Sequence, residues 1–279
     1  MKHLKNFIYG ILLGITNIIP GISGGTMAVV LNIYDDILYA ISWKNYRKHL
    51  PFLSVLGIGI LVGIFGFSHT ATFLLENYQM QVYYCFIGLI LGSIPLIYKK
   101  ARHDKVKPRN IVIFILALAF MILLTLLSND SSIISTLESP DGSTSTIFAG
   151  PIILLYLWLF VVSIISTICM ILPGISGSLI MLLLGTYTIV IEAVSNLYMP
   201  ILAPVILGII IGGIMGVKFI KKLLRFHPQA LYFAILGLII GSLFSIYPGY
   251  PGGIQGILCI ILMIIFATIS YLFSYINKG

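Results

Sequence analysis

The sequence predicts an all-α polytopic membrane protein made of two inverted repeats, each a re-entrant broken-helix hairpin followed by three transmembrane helices. Three observations carry that expectation. Of 279 residues, 59% are hydrophobic and 9% charged, with a mean hydropathy of +1.10, which leaves no room for a soluble domain. The string Pro20-Gly21-Ile22-Ser23-Gly24-Gly25-Thr26 recurs as Pro173-Gly174-Ile175-Ser176-Gly177-Ser178, 153 positions later. All 16 lysines and arginines fall in segments that one topology gathers on a single side of the bilayer.

The first repeat spans residues 1–128. Its apolar runs at 7–19 and 26–41 are each shorter than the roughly 20 residues a helix needs to cross. Between them, proline and glycine interrupt the helix, since proline lacks a backbone donor and glycine loses most conformational entropy. The two arms predict a hairpin over 7–41 that dips into the bilayer and returns. Runs at 52–68, 82–98 and 110–128 follow as three crossings, and a Ser/Thr-rich loop at 129–146, free of lysine and arginine, faces outside.

The second repeat, 147–279, has the same order: a hairpin over 151–192, then helices at 201–217, 229–247 and 254–276. The correspondence runs beyond the motif. Leu31 and Tyr34 match Leu184 and Tyr187 at the same shift, and Gly88–Ser93 matches Gly237–Ser242 at a shift of 149. One misfit is visible, because 147–172 is long enough to cross by itself. The N-terminal run has the outline of a signal peptide, but its motif is half of the duplication and is read as part of the fold.

With both hairpins re-entrant, the N-terminus, 44–48, 99–109, 218–225 and Lys278 share the cytoplasmic side, which places both termini there in a bacterial cytoplasmic membrane. The net charge of +8 is explained by this topology and implies no nucleic-acid partner. Cys85, Cys169 and Cys259 lie in separate apolar runs without pairing or ligand spacing, so neither disulfide, metal nor cofactor is expected.

A helix broken inside a membrane leaves backbone groups that hydrocarbon cannot satisfy, so the break belongs where it is buried or lines a wet cavity. Each motif ends where a new helix starts, with free N–H groups and the positive end of the helix dipole, an arrangement suited to anions and to phosphate. The candidate substrate-binding residues are therefore Gly21, Ser23, Gly24, Gly25 and Thr26 with Gly174, Ser176, Gly177 and Ser178. Asn17 adds a polar side chain one turn earlier, opposite Met170 in the second copy. Lys218, Lys221, Lys222 and Arg225 follow i, i+3, i+4, i+7 spacing and form a basic stripe for anionic lipid or for headgroup capture. Asp35, Asp36 and Glu192 are acids at membrane or near-interface depth, a class that marks ion or proton pathways.

The stretch Asn17–Thr26 with Ile171–Ser178 resembles the bacterial polyprenyl-phosphate transporter family, the PopT-type undecaprenyl-phosphate translocases, and the likeness covers essentially the whole chain. The resemblance implies a flippase that moves undecaprenyl phosphate, the carrier lipid of cell-wall synthesis, from the outer to the inner leaflet for reuse. The implied partners are this polyprenyl phosphate lipid and the surrounding membrane lipids. Two alternatives share features of the site. Undecaprenyl-diphosphate phosphatases also use inverted re-entrant repeats, but there an arginine follows the motif serine, whereas Gly24 and Gly177 follow Ser23 and Ser176 here. A small-anion channel or exchanger would also suit helix N-termini at mid-depth.

Overall fold

Apolar runs of about 20 residues become helices because helix formation satisfies every backbone donor and acceptor locally, which hydrocarbon demands. A computed structural model describes residues 2–18, 23–41, 46–102, 106–129 and 152–276. These residues form helices α1 (Lys2–Ile18), α2 (Gly24–Val30), α3 (Tyr34–Ala40), α4 (Tyr46–Asn77), α5 (Gln79–Ala101) and α6 (Pro108–Asn129). Then follow α7 (Ile152–Ile171), α8 (Gly177–Leu183), α9 (Tyr187–Ser195), α10 (Met199–Phe226), α11 (Pro228–Ile246) and α12 (Gly253–Ile276). Seven of these, α4 to α7 and α10 to α12, are long and apolar enough to cross a membrane. The chain is a multi-pass membrane protein. Its outer faces are greasy, with Phe65 77% and Ile254 89% exposed, as lipid-facing side chains should be. Gly21 and the loop at 130–146 lie outside the described residues.

The helices pair in a fixed pattern. A Cβ on Gly10 would stand 2.3 Å from the Leu56 carbonyl oxygen and one on Gly14 the same distance from that of Ile60, so α1 and α4 touch backbone to backbone and run in the same direction. The chain between them must therefore return to the end where α1 began. In the second half α7 and α10 repeat this, with Gly208 against Ser163 and Gly212 against Thr167. Gly10, Gly14, Gly59 and Gly63 correspond to Ser163, Thr167, Gly208 and Gly212 at the two shifts seen in the sequence.

The remaining pairs cross between the halves. Gly88 lies against Met263 as α5 packs along α12, and Gly237 lies against Phe114 as α11 packs along α6. Each pair is the image of the other at a shift of 149. Each half thus packs the third long helix after its motif against the second long helix after the motif of the other half. The main core lies where α1, α2, α5, α10 and α11 converge, around Leu13, Ile97, Ile220, Ile235 and Ile239.

Local structure departs from the expected boundaries at two places. The polar patch after residue 68 does not open a loop. α4 continues to Asn77, whose amide donates to the Phe73 carbonyl (2.8 Å), and only Tyr78 interrupts the backbone before α5. The helical arm after each motif is itself broken. Asn32 (φ 58°) ends α2 and Gly185 (φ 68°) ends α8, with matching bonds from the N–H of Ile33 to Ala28 O and from that of Thr186 to Met181 O, both 2.9 Å. This left-handed stop turns the next segment sharply, and α8 and α9 meet at 116°.

Candidate functional site

In the first motif Ser23 and Thr26 are buried and their hydroxyls bond within the protein. Ser23, in extended backbone, caps α2 by accepting the Thr26 N–H at 3.1 Å, and its Oγ lies 3.2 Å from Thr26 Oγ1. Thr26 Oγ1 in turn accepts the N–H of Gly174 at 2.8 Å. That bond, between residues 148 apart in the chain, joins the two breaks. Gly25 faces the Met170 carbonyl and Pro173, and Asn17 Oδ1 stands against Gly24, where a Cβ would approach to 2.9 Å. Tyr34 adds a second bridge by donating to the Ile171 carbonyl at 3.0 Å.

The second motif holds Ser176 in the same extended backbone as Ser23 but uses its hydroxyls differently. Gly174 takes φ +96°, and a Cβ there would lie 2.8 Å from the Leu238 carbonyl, so conformation and space both require glycine. Ser176 sits at the cap position of α8 but makes no side-chain cap bond; its Oγ pairs with Ser178 Oγ at 2.7 Å. Ser166 on α7 donates to the carbonyl of Gly177. Ser178 is exposed. Together Gly174, Ser176 and Ser178 line a cavity of about 270 Å³ with Met121, Tyr187 and Ser245. The lining offers four hydroxyls and no charge, a donor-rich pocket set among apolar helices.

The charged candidates gather elsewhere. Lys5, Asp35, His49 and Lys100 line a larger cavity of about 540 Å³ where α1, α3, α4 and α5 meet, here termed the basic end. There Asp35 Oδ2 accepts from Lys100 Nζ and from Tyr232 Oη, each at 2.7 Å. Asp36 lines the same cavity. Of the basic stripe, Lys221 stacks over the Tyr39 ring at 5.0 Å and Lys222 lines an apolar crevice beside Phe219 and Phe226, while Lys218 and Arg225 are exposed. Glu192 is exposed beside a smaller cavity with Asn196 and Tyr198. None of these groups lines the serine cavity.

With this geometry in place, the relatives of the chain can be read. The family described as VCA0040-like, undecaprenyl phosphate translocase-like, matches residues 13–253. The chain belongs to this translocase-like family. A polyprenyl-phosphate transporter of Staphylococcus aureus is 30% identical over 266 residues, covering 91% of this chain and 90% of that protein. A polyprenyl-phosphate transporter of Vibrio cholerae is 27% identical over 265 residues, covering 89% of this chain and 79% of that one. Both relatives are named as transporters rather than enzymes. No solved structure matches the chain.

In this translocase-like protein the structure adds residues that sequence reasoning passed over. Tyr187 and Ser245 join the serine cavity, and Ser166 braces the motif from behind. The recurrence of Tyr34 as Tyr187 was a usable signal for the first; a lone serine near the end of an apolar run gave none for Ser245. Lys100 and Tyr232 are the partners of Asp35, and Lys100 was hidden because any lysine in 99–109 is already explained by topology.

Proposed function

We propose that the chain moves a polyprenyl phosphate, and undecaprenyl phosphate in particular, from the outer to the inner leaflet of the bacterial cytoplasmic membrane, returning carrier lipid to cell-wall synthesis. The observation that carries this reading is the uncharged cavity of about 270 Å³ lined by Ser176, Ser178, Tyr187 and Ser245 beside the second helix break. A phosphate head crossing hydrocarbon must exchange its water for other donors, and hydroxyls with the nearby backbone supply them without trapping the anion by a fixed charge. The polyprenyl tail stays in lipid, and no covalent step is needed. Family membership and the names of the two relatives support the same substrate class.

The same-direction pairs α1 with α4 and α7 with α10 support hairpins that return to the end they entered from, and the crossed pairs support repeats of opposite orientation. In this reading the basic end is cytoplasmic, both termini lie there, and the serine cavity opens toward the outer leaflet. Gly174, Ser176, Gly177 and Ser178 receive the head. Asn17, Gly21, Ser23, Gly24, Gly25 and Thr26 form the mate of that site. The stripe Lys218, Lys221, Lys222 and Arg225 lies at the release side, and Asp35, Asp36 and Glu192 are the candidate ion-coupling acids.

The test is undecaprenyl phosphate exposed on the surface of cells depleted of this protein. Exposed lipid should accumulate and be cleared by the intact chain but not by a Ser176→Ala/Ser178→Ala variant expressed at the same level. Unchanged exposure, with a shift instead in the diphosphate carrier or in chloride flux, would replace the translocase with the phosphatase or the channel.

A further inference from the structure

Resting on the transport reading above, we propose that Asp35, Lys100 and Tyr232 form a one-sided latch that shuts the basic end, and that its opening transfers Lys100 from Asp35 to the phosphate head. Three sets of observations converge on it.

The first is that mate positions in the two repeats are in different states. The open serine cavity contains Met121, Ser176, Tyr187 and Ser245. Their images at shifts of 149 and 153 are Ser270, Ser23, Tyr34 and Leu96. Ser270, Ser23 and Tyr34 are all buried, at 1%, 7% and 6% exposure, and the Ser270 hydroxyl has no hydrogen-bond partner among the described residues. The described mates of the cavity lining around the first motif are thus buried where their counterparts line a cavity, and a polar atom is stranded among them. In repeats of opposite orientation, one open and one closed copy is the signature of a single state of an alternating cycle.

The second is what fastens the closed copy. Asp35, on α3 of the first hairpin, is tied to Lys100 at the end of α5 and to Tyr232 near the start of α11. The images of these three residues are Thr188, Gly249 and Tyr83. No ion pair can form there, so only the basic end can be fastened in this way.

The third is what the latch faces. Asp35 and Lys100 both line the cavity of about 540 Å³, together with the buried Asn6. Neither motif string contains lysine or arginine, so a phosphate leaving toward the basic end gains a cationic partner in this cavity, where Lys100 faces Asp35. Breaking a partly buried ion pair outright would strand two charges, whereas exchanging one carboxylate for a phosphate keeps Lys100 paired and leaves Asp35 its bond to Tyr232. Phosphate arrival can therefore open the latch at small net cost.

The experiment uses the full chain in liposomes, with Cys85, Cys169 and Cys259 replaced and single cysteines placed at Asn6 or Ser178 for an impermeant thiol reagent applied from the matching side. With the latch intact, Ser178→Cys should label and Asn6→Cys should not. Lys100→Met or the milder Tyr232→Phe should raise labelling of Asn6→Cys by about 3- to 10-fold, the effect of losing one charge-assisted contact, and lower that of Ser178→Cys. Undecaprenyl phosphate, but not the neutral undecaprenol, should protect Asn6→Cys in the Tyr232→Phe background and fail to do so with Lys100→Met. Labelling that ignores both substitutions overturns the latch, and protection that survives Lys100→Met overturns the transfer to phosphate. The labelling without lipid does not depend on transport, so a failed carrier-lipid assay would sink the functional reading while leaving the latch intact.

Discussion

The two helix breaks carry nearly the same string, yet one is spent on structure and the other is open. Ser23 caps its own helix and Thr26 holds the Gly174 N–H, whereas Ser176 leaves its cap position unfilled and turns to Ser178 in a cavity. Leu179 is the image of Thr26 and cannot hold a backbone donor of the first break in return. The lesson is that a duplicated motif can divide its labour. One copy anchors the other, and the other remains available to a ligand.

That division can be broken most severely at Gly174. An alanine there must adopt φ +96° and push its Cβ to 2.8 Å from Leu238, a combination expected to cost about 3 kcal/mol or more and to remove most folded protein from the membrane fraction. Alanine at Gly24 meets the end of the Asn17 side chain first, so its loss in melting temperature should be small and be recovered by Asn17→Ala.

Next in size is the Ser176→Ala/Ser178→Ala pair. It should slow lipid transport about tenfold or more while leaving the melting temperature of the detergent-purified protein within error, because neither hydroxyl caps a helix. Ser23→Ala should do the reverse, costing about 1 kcal/mol of stability through the lost cap with little effect on transport. Equal behaviour of the two serines in both assays would erase the distinction. Thr26→Val strands the Gly174 N–H and should cost about 1–2 kcal/mol, again read as melting temperature. The smallest effect is expected at Asn32→Gly, which relaxes φ 58° and should leave stability equal or raised by about 0.5–1 kcal/mol.

The helical membrane class, the duplication and the correspondence of segments could be read from the chain because they rest on hydropathy and on strings that repeat at fixed shifts. The second break in each hairpin was also encoded, as Asn32 and Gly185 one repeat apart, but single residues of that kind are audible only beside their mates. The exchange of α6 and α12 between the halves could not be read, since the glycine faces of α5 and α11 announce close packing without naming the partner. Nor could the unequal burial of Ser23 and Ser176. It is decided by Thr26 against Leu179 and by bonds that span more than a hundred residues.

The exchanged helices also bear on how the chain is made. α5 finds its packing partner in α12, which leaves the ribosome well after the whole first repeat, so that repeat is inserted long before it has a complete set of neighbours. Until then the glycine face of α5 is open to lipid or to an assembly factor. Two fragments divided within residues 130–151 should accordingly be dependent on each other for survival in the membrane, each degraded alone and each rescued by synthesis of the other.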